Sequence, residues 1–156
     1  MKATRILNPF YVGKMAPYIE KYLERVSIVG IDYESFYMYL SNSVQFGGNS
    51  TELWVVEEDG TPLAFAHWMV RGAPYIATTY CDHIYRWNNN NEPINLLMEK
   101  WLVFGHRNRC IYFGGSAVNK KLLEHYHRLA EARGYPMADA LQEFVIKAEP
   151  MEEVDG

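Results

Sequence analysis

The sequence predicts a mixed α/β domain, with a predominantly antiparallel sheet carrying helices on both faces. Three observations lead there. The first fifty residues carry helical apolar spacing. The middle carries two apolar runs, Leu53–Val56 and Leu63–Val70, on either side of an Asp59-Gly60 turn. The last third reads helix, strand, helix, strand.

Ala3 to Leu7 is an opening strand that Asn8-Pro9 breaks. Apolar residues then fall at Met15, Tyr18, Ile19, Tyr22, Leu23 and Val26, one face of a helix with Pro17 in its first turn. Val29-Gly30-Ile31 interrupts. Asp32 caps a second helix, with Phe36, Tyr37, Tyr39 and Leu40 as its apolar positions, and Gly47-Gly48-Asn49-Ser50 ends it.

Leu53–Val56 and Leu63–Val70 are strands joined by Glu58-Asp59-Gly60-Thr61, because Gly tolerates the positive φ a tight hairpin demands. Tyr75 to Trp87 follows as a long aromatic strand, completing a meander of three. Asn91 caps the next helix, which buries Ile94, Leu97, Met98, Trp101, Leu102 and Gly105. Cys110–Phe113 is a short strand closed by Gly114-Gly115-Ser116. A last long helix, with Leu122, Leu123, Tyr126, Leu129 and Ala130 at helical spacing, ends at Gly134. Phe144–Ile146 is the final strand. Residues 1–148 form one domain and 149–156 a short acidic tail.

Composition narrows the function classes. A net charge of −4 gives no basic footprint for nucleic acid. No stretch approaches the ~20 apolar residues of a membrane span, and the N-terminus lacks a signal-peptide centre. Cys81 and Cys110 fit no zinc spacing, and His125 and His127 lie two apart on a helix, so no metal is expected. A cytoplasmic protein is the default expectation. Twelve tyrosines raise the aromatic content to 15%. Their rings suit a core, or the surface of a homo-oligomer or protein assembly.

Several local features resemble the GNAT superfamily of N-acetyltransferases. The order of elements is similar over nearly the whole chain. The Glu57-Glu58-Asp59-Gly60 hairpin resembles the one joining the family's second and third strands. Asn119, Leu122 and Tyr126 resemble its pattern of Asn, an apolar residue three later and Tyr seven later. Gly134-Tyr135 resembles its closing pair, set about one helical turn further from the tyrosine.

The resemblance implies an acyl-CoA-dependent N-acetyltransferase fold. It implies acetyl-CoA as cofactor, and a small amine or a protein amino group as acceptor. Tyr126 matches the acid position, and Asp82 or His83 the base on the long strand, of which strand alternation lets only one face a given side. His83 has the better unperturbed proton affinity for that task. The backbone from Tyr80 through Ile84 would pair with the pantetheine arm, and Asn119 would lie at the cofactor side.

Where the family carries a glycine-rich pyrophosphate cradle, this chain reads Asn88-Asn89-Asn90-Asn91-Glu92-Pro93. Asparagine tolerates positive φ, but Pro93 removes an N–H and Glu92 sets a negative charge beside any phosphate. Two readings follow. One is an acyltransferase with an unusual phosphate loop. The other is a catalytically inactive binding or assembly protein of the same fold, for example a phage or virion component.

Overall fold

The computed structural model describes residues 1–26, 31–72, 77–117, 119–135 and 137. The elements are β1 (Lys2–Arg5), α1 (Pro9–Lys14), α2 (Ala16–Arg25), α3 (Tyr33–Phe46), β2 (Thr51–Glu58), β3 (Thr61–Arg71), β4 (Thr78–Arg86), α4 (Glu92–Arg107), β5 (Tyr112–Gly115) and α5 (Lys120–Arg133). The strands form one sheet in the order β1-β2-β3-β4-β5, antiparallel except for the parallel pair β4–β5. This is the mixed, mostly antiparallel sheet the sequence predicts.

Alternation along the strands divides the core in two. Leu53, Val55 and Phe65 face one side, where they pack with Val12, Met15 and Ile19 of the first helices and Phe36 and Leu40 of α3. Val56, Ala64, Ala66 and Trp68 face the other side, against Ile94, Leu97, Met98, Trp101 and Phe104 of α4 and Tyr126 of α5. The helices therefore lie on both faces. One carboxylate is buried at the sheet's rim: Glu52 accepts from Trp54, Trp68 and Arg107 and pairs with Arg5, so its charge is fully compensated.

Several predicted caps are present. The Asp32 carboxylate accepts from the Ser35 N–H at 2.7 Å, and the Asn119 side chain accepts from the Leu122 N–H at 2.9 Å. Gly134 ends α5 at φ 67°. The β2–β3 hairpin turns on positive φ at both Asp59 (51°) and Gly60 (79°).

Four expectations are corrected. Asn8-Pro9 does not merely break the chain. Asn8 accepts from the Phe10 N–H and Pro9 opens α1, since proline suits a first turn whose N–H is free anyway. At α4 the cap comes from Asn90, whose side chain accepts from the Glu92 N–H at 3.0 Å, while Asn91 makes no side-chain cap. The β5 strand runs from Tyr112 to Gly115, two residues later than expected, so both glycines belong to the ladder. Finally, Asp82 and His83 are not split between the two faces, as the site geometry shows. The expected strand at Phe144–Ile146 and the acidic tail lie outside the described residues.

Candidate active site

The site begins where the parallel pairing stops. β4 and β5 are registered only from Thr78↔Tyr112 to Cys81↔Gly115, yet β4 continues to Arg86. Ser116 adds a backbone bond to the Cys81 carbonyl at 3.4 Å. Beyond it, among the described residues, His83 to Arg86 run on without a β5 partner in the register, because β5 ends at Gly115 while β4 continues.

Tyr126 of α5 stands where β5 ends. It is 8% exposed, and its hydroxyl makes no hydrogen bond to nitrogen or oxygen among the described residues. Gly115 accommodates it, because a Cβ there would lie 3.0 Å from the hydroxyl oxygen. Burial, and then the neighbouring Cys81 thiol, push the Tyr126 phenol well above its ordinary range, so it holds its proton at neutral pH. A buried hydroxyl without a nitrogen or oxygen partner is costly and uncommon.

A cavity of about 240 Å³ lies along the free part of β4. It is lined by Ile84 to Asn89 of β4 and the loop after it, by Ile94 of α4, by Asn119, Lys121, Leu122 and His125 at α5, and by Arg25 of α2. Arg25, Arg86 and Lys121 make it cationic although the whole chain carries −4. Burial, with help from Arg128 and Arg86, lowers the proton affinity of His125.

The asparagine loop is tied to itself. Asn88 accepts from the Asn90 N–H at 3.2 Å, Asn90 accepts from the Glu92 N–H, and Arg86 donates to the Asn88 carbonyl. Asn88 to Asn91 show no positive φ. Two N–H groups that would open an anion nest are thus already engaged. Asn88 and Asn89 line the cavity; Asn90 and Asn91 are exposed at the helix start. Tyr80 pairs with Gly114 in the β4–β5 ladder, and its ring lies under the Arg71 guanidinium at 3.8 Å.

The predicted base pair sits on the α1–α3 side of the sheet. The β3–β4 register slips between His67↔His83 and Trp68↔Cys81, which leaves Asp82 as an extra residue in a β-bulge. The bulge breaks alternation, so Asp82 and His83 both point toward α2 and α3. Asp82 Oδ1 lies 2.7 Å from His67 Nδ1, and Oδ2 accepts from the Tyr39 hydroxyl at 2.5 Å. His83 Nδ1 is 2.7 Å from the Tyr22 hydroxyl, while its Nε2 is 3.8 Å from Asp82 Oδ2. His67 Nε2 is 2.6 Å from Ser43 Oγ.

Electrostatics follow from this wiring. Burial works to raise the Asp82 carboxyl, but the hydrogen bond and charge of His67, then His83 and Tyr39, outweigh it and hold the group below its usual range. Burial lowers the proton affinity of His83; Asp82 opposes that and His67 adds to it, leaving a net reduction. His83 is therefore neutral at neutral pH. Tyr22 and Tyr39 are both raised, chiefly by burial and then by Asp82, and stay protonated.

Sequence reasoning missed His67, Ser43, Tyr39 and Tyr22. The available signal was His67, an ionisable residue inside the apolar strand Leu63–Val70. Among the described residues no group of three His, Cys, Asp or Glu side chains could hold a metal ion, and no helix is long and apolar enough to cross a membrane.

No protein-family model matches the chain, and no curated protein matches its sequence. Solved structures do match in shape. A probable acetyltransferase superposes with TM-score 0.71 at 13% identity, covering 97% of this chain and 100% of its own. A glucosamine-6-phosphate N-acetyltransferase from Arabidopsis thaliana gives 0.70 at 11% identity, over 95% and 98% of the two chains. A predicted acetyltransferase with acetyl-CoA from Clostridium acetobutylicum gives 0.67 at 14%, over 92% and 95%. At such low identities the likeness shows the fold, which is that of the GNAT acetyltransferases.

Proposed function

We propose that this chain of GNAT fold is an acyl-CoA-dependent N-acyltransferase acting on an amine. The observation that carries this reading is the buried Tyr126 hydroxyl, without a nitrogen or oxygen partner among the described residues, beside Gly115 where β5 ends. Structures of similar fold are named as acetyltransferases, one of them with acetyl-CoA and another acting on glucosamine-6-phosphate, which supports an acyl donor and a small amine acceptor.

The residues present fit an acyl-CoA, with one substitution of means. Arg86 and Lys121, with Asn88, Asn89 and Asn119, would hold its phosphates through side chains. The self-bonded asparagine loop would not serve as a backbone cradle. Among the described residues the edge of β4 from His83 to Arg86 has no β5 partner, and it would offer main-chain groups to an amide-bearing arm. When bound, acyl-CoA supplies the activated acyl group.

The chain's own residues then hold and move protons. His83, neutral at working pH, takes a proton at Nε2 once its Nδ1–H donates to the Tyr22 oxygen. The ionised Asp82 stabilises the imidazolium that forms. Tyr126 keeps its phenolic proton beside the end of β5 and offers it there.

A second reading is favoured by one observation. The loop amides at Asn90 and Glu92 are already bonded within the loop, as suits an assembly protein that binds no CoA. Thermal unfolding with acetyl-CoA separates the two. At a hundredfold excess over Kd, a ligand that binds only the folded state adds about 2.7 kcal/mol, or roughly 5–10 °C for a domain of this size. A rise of that kind supports the acyltransferase. No shift at millimolar acetyl-CoA overturns it in favour of the assembly reading.

A further inference from the structure

Ser43, His67 and Asp82 are wired like a nucleophilic triad, with Ser43 Oγ 2.6 Å from His67 Nε2 and His67 Nδ1 2.7 Å from Asp82 Oδ1. Ser43, however, lies inside α3, where backbone N–H groups are engaged in the helix ladder. That leaves no backbone donor pair from its own helix to stabilise an oxyanion at its hydroxyl. The wiring acts on Asp82 instead.

We propose that His67 is a positioning residue which, with Ser43 and Tyr39, holds the Asp82 carboxylate just beyond hydrogen-bond reach of His83, so that His83 keeps an uncharged Nε2 for the acceptor's proton. The proposal rests on the N-acyltransferase reading and names what poises its base.

The geometry is specific. Both Asp82 oxygens are taken, Oδ1 by His67 and Oδ2 by Tyr39. The remaining approach, Oδ2 to His83 Nε2, is 3.8 Å and too long for a hydrogen bond. His67 is fully buried and cannot swing away, being held by Ser43 and by the Tyr39 ring at 5.2 Å. The bulge at Asp82 brings this carboxylate to the same side as His83.

The polar groups facing His83 come from every element around it: Tyr22 from α2, Tyr39 from α3, His67 from β3 and Asp82 from β4. The Phe36 ring closes the apolar side at 4.8 Å, and Tyr85 packs beside Tyr22 at 5.0 Å. Among them Asp82 alone is an anion at neutral pH. At 3.8 Å it already works to raise His83, and a direct hydrogen bond to it would raise the ring further, toward a cation unable to accept. Held off, the same carboxylate still favours the imidazolium when a proton arrives.

The test is the NMR titration of the His83 ring in His67→Phe and His67→Asn proteins, together with the acid limb of kcat/KM. Phe keeps the ring's bulk but donates nothing to Asp82. Asn keeps an N–H near the Nδ1 position. His67→Phe should raise the His83 midpoint and the acid limb together by roughly one pH unit or more, and His67→Asn should restore both. Tyr39→Phe, at a residue 39% exposed, releases Oδ2 with little risk to folding and should move His83 in the same direction. A His83 midpoint that stays put or falls in the folded Phe variants overturns the proposal. The NMR midpoint needs no turnover, so an inactive wild-type protein would sink the acyltransferase reading and leave this test standing.

Discussion

Tyr126→Phe should make the protein more stable and less active at once. The phenol is 8% exposed, lacks a nitrogen or oxygen partner among the described residues, and packs edge-on to Trp101 at 5.7 Å through its ring. Phe keeps the ring and its packing. It removes a hydroxyl whose neighbour is the Cys81 thiol, a weak partner, so that its desolvation is poorly compensated, a cost of about 1–3 kcal/mol. Taking the lower end, the gain is about 1 kcal/mol, or roughly 2–4 °C in Tm for a domain of this length. Turnover should fall by about 10²-fold or more, the usual contribution of a positioned proton donor, with little change in acyl-CoA affinity. Calorimetric unfolding and steady-state kinetics on the same preparations read both quantities. A variant that loses stability would mean the hydroxyl is satisfied and structural. One that keeps full turnover would mean it is no acid. Either result refutes the reasoning, since both effects derive from the same poorly paired oxygen.

Arg86→Ala and Lys121→Ala should each weaken CoA binding by about tenfold, less so in high salt, as titration at two ionic strengths would show. Asn90→Ala removes the bond to the Glu92 N–H, so denaturant unfolding should register a loss of about 1 kcal/mol, while the freed N–H should leave CoA affinity equal or higher. Asp82 and His83 both bind protons less readily folded than unfolded, so each makes the unfolded state the better proton acceptor. Stability should thus fall as pH drops below about 6.5, through the His83 range, and again as it drops below about 3.8 through that of Asp82; the second loss should vanish in Asp82→Asn.

Much of the fold was legible because local chemistry and tertiary placement agreed. The Asp59-Gly60 turn, the Asp32 and Asn119 caps and the Gly134 terminus each satisfy a backbone need that the residue type announces. Reading failed where one residue serves two ends. Asn8-Pro9 suits both a stop and a helix start. Gly114-Gly115 looked like a terminator, yet Gly115 stays in β5 because a side chain there would strike the Tyr126 hydroxyl.

The site was half legible for a related reason. Tyr126, Asp82 and His83 were visible as types at suggestive positions. Their relation was hidden by the bulge, since alternation assigns neighbours to opposite faces and only the paired strand reveals the extra residue. His67 shares β3 with apolar neighbours, and its partners Ser43 and Asp82 are 24 and 15 residues away in sequence, so no local spacing announces them. The cationic wall has the same character: Arg25, Arg86 and Lys121 come from three separate elements and meet only in the fold.

Acyl-CoA is expected along the free edge of β4 with its reacting end at Tyr126. Titrating isotope-labelled protein with CoA and following amide shifts reads that placement residue by residue. Saturable shifts confined to His83–Arg86, Ser116, Asn119–Leu122 and the surroundings of Tyr126 are the expected result. No shifts at millimolar CoA, or shifts centred elsewhere on the sheet, would contradict it.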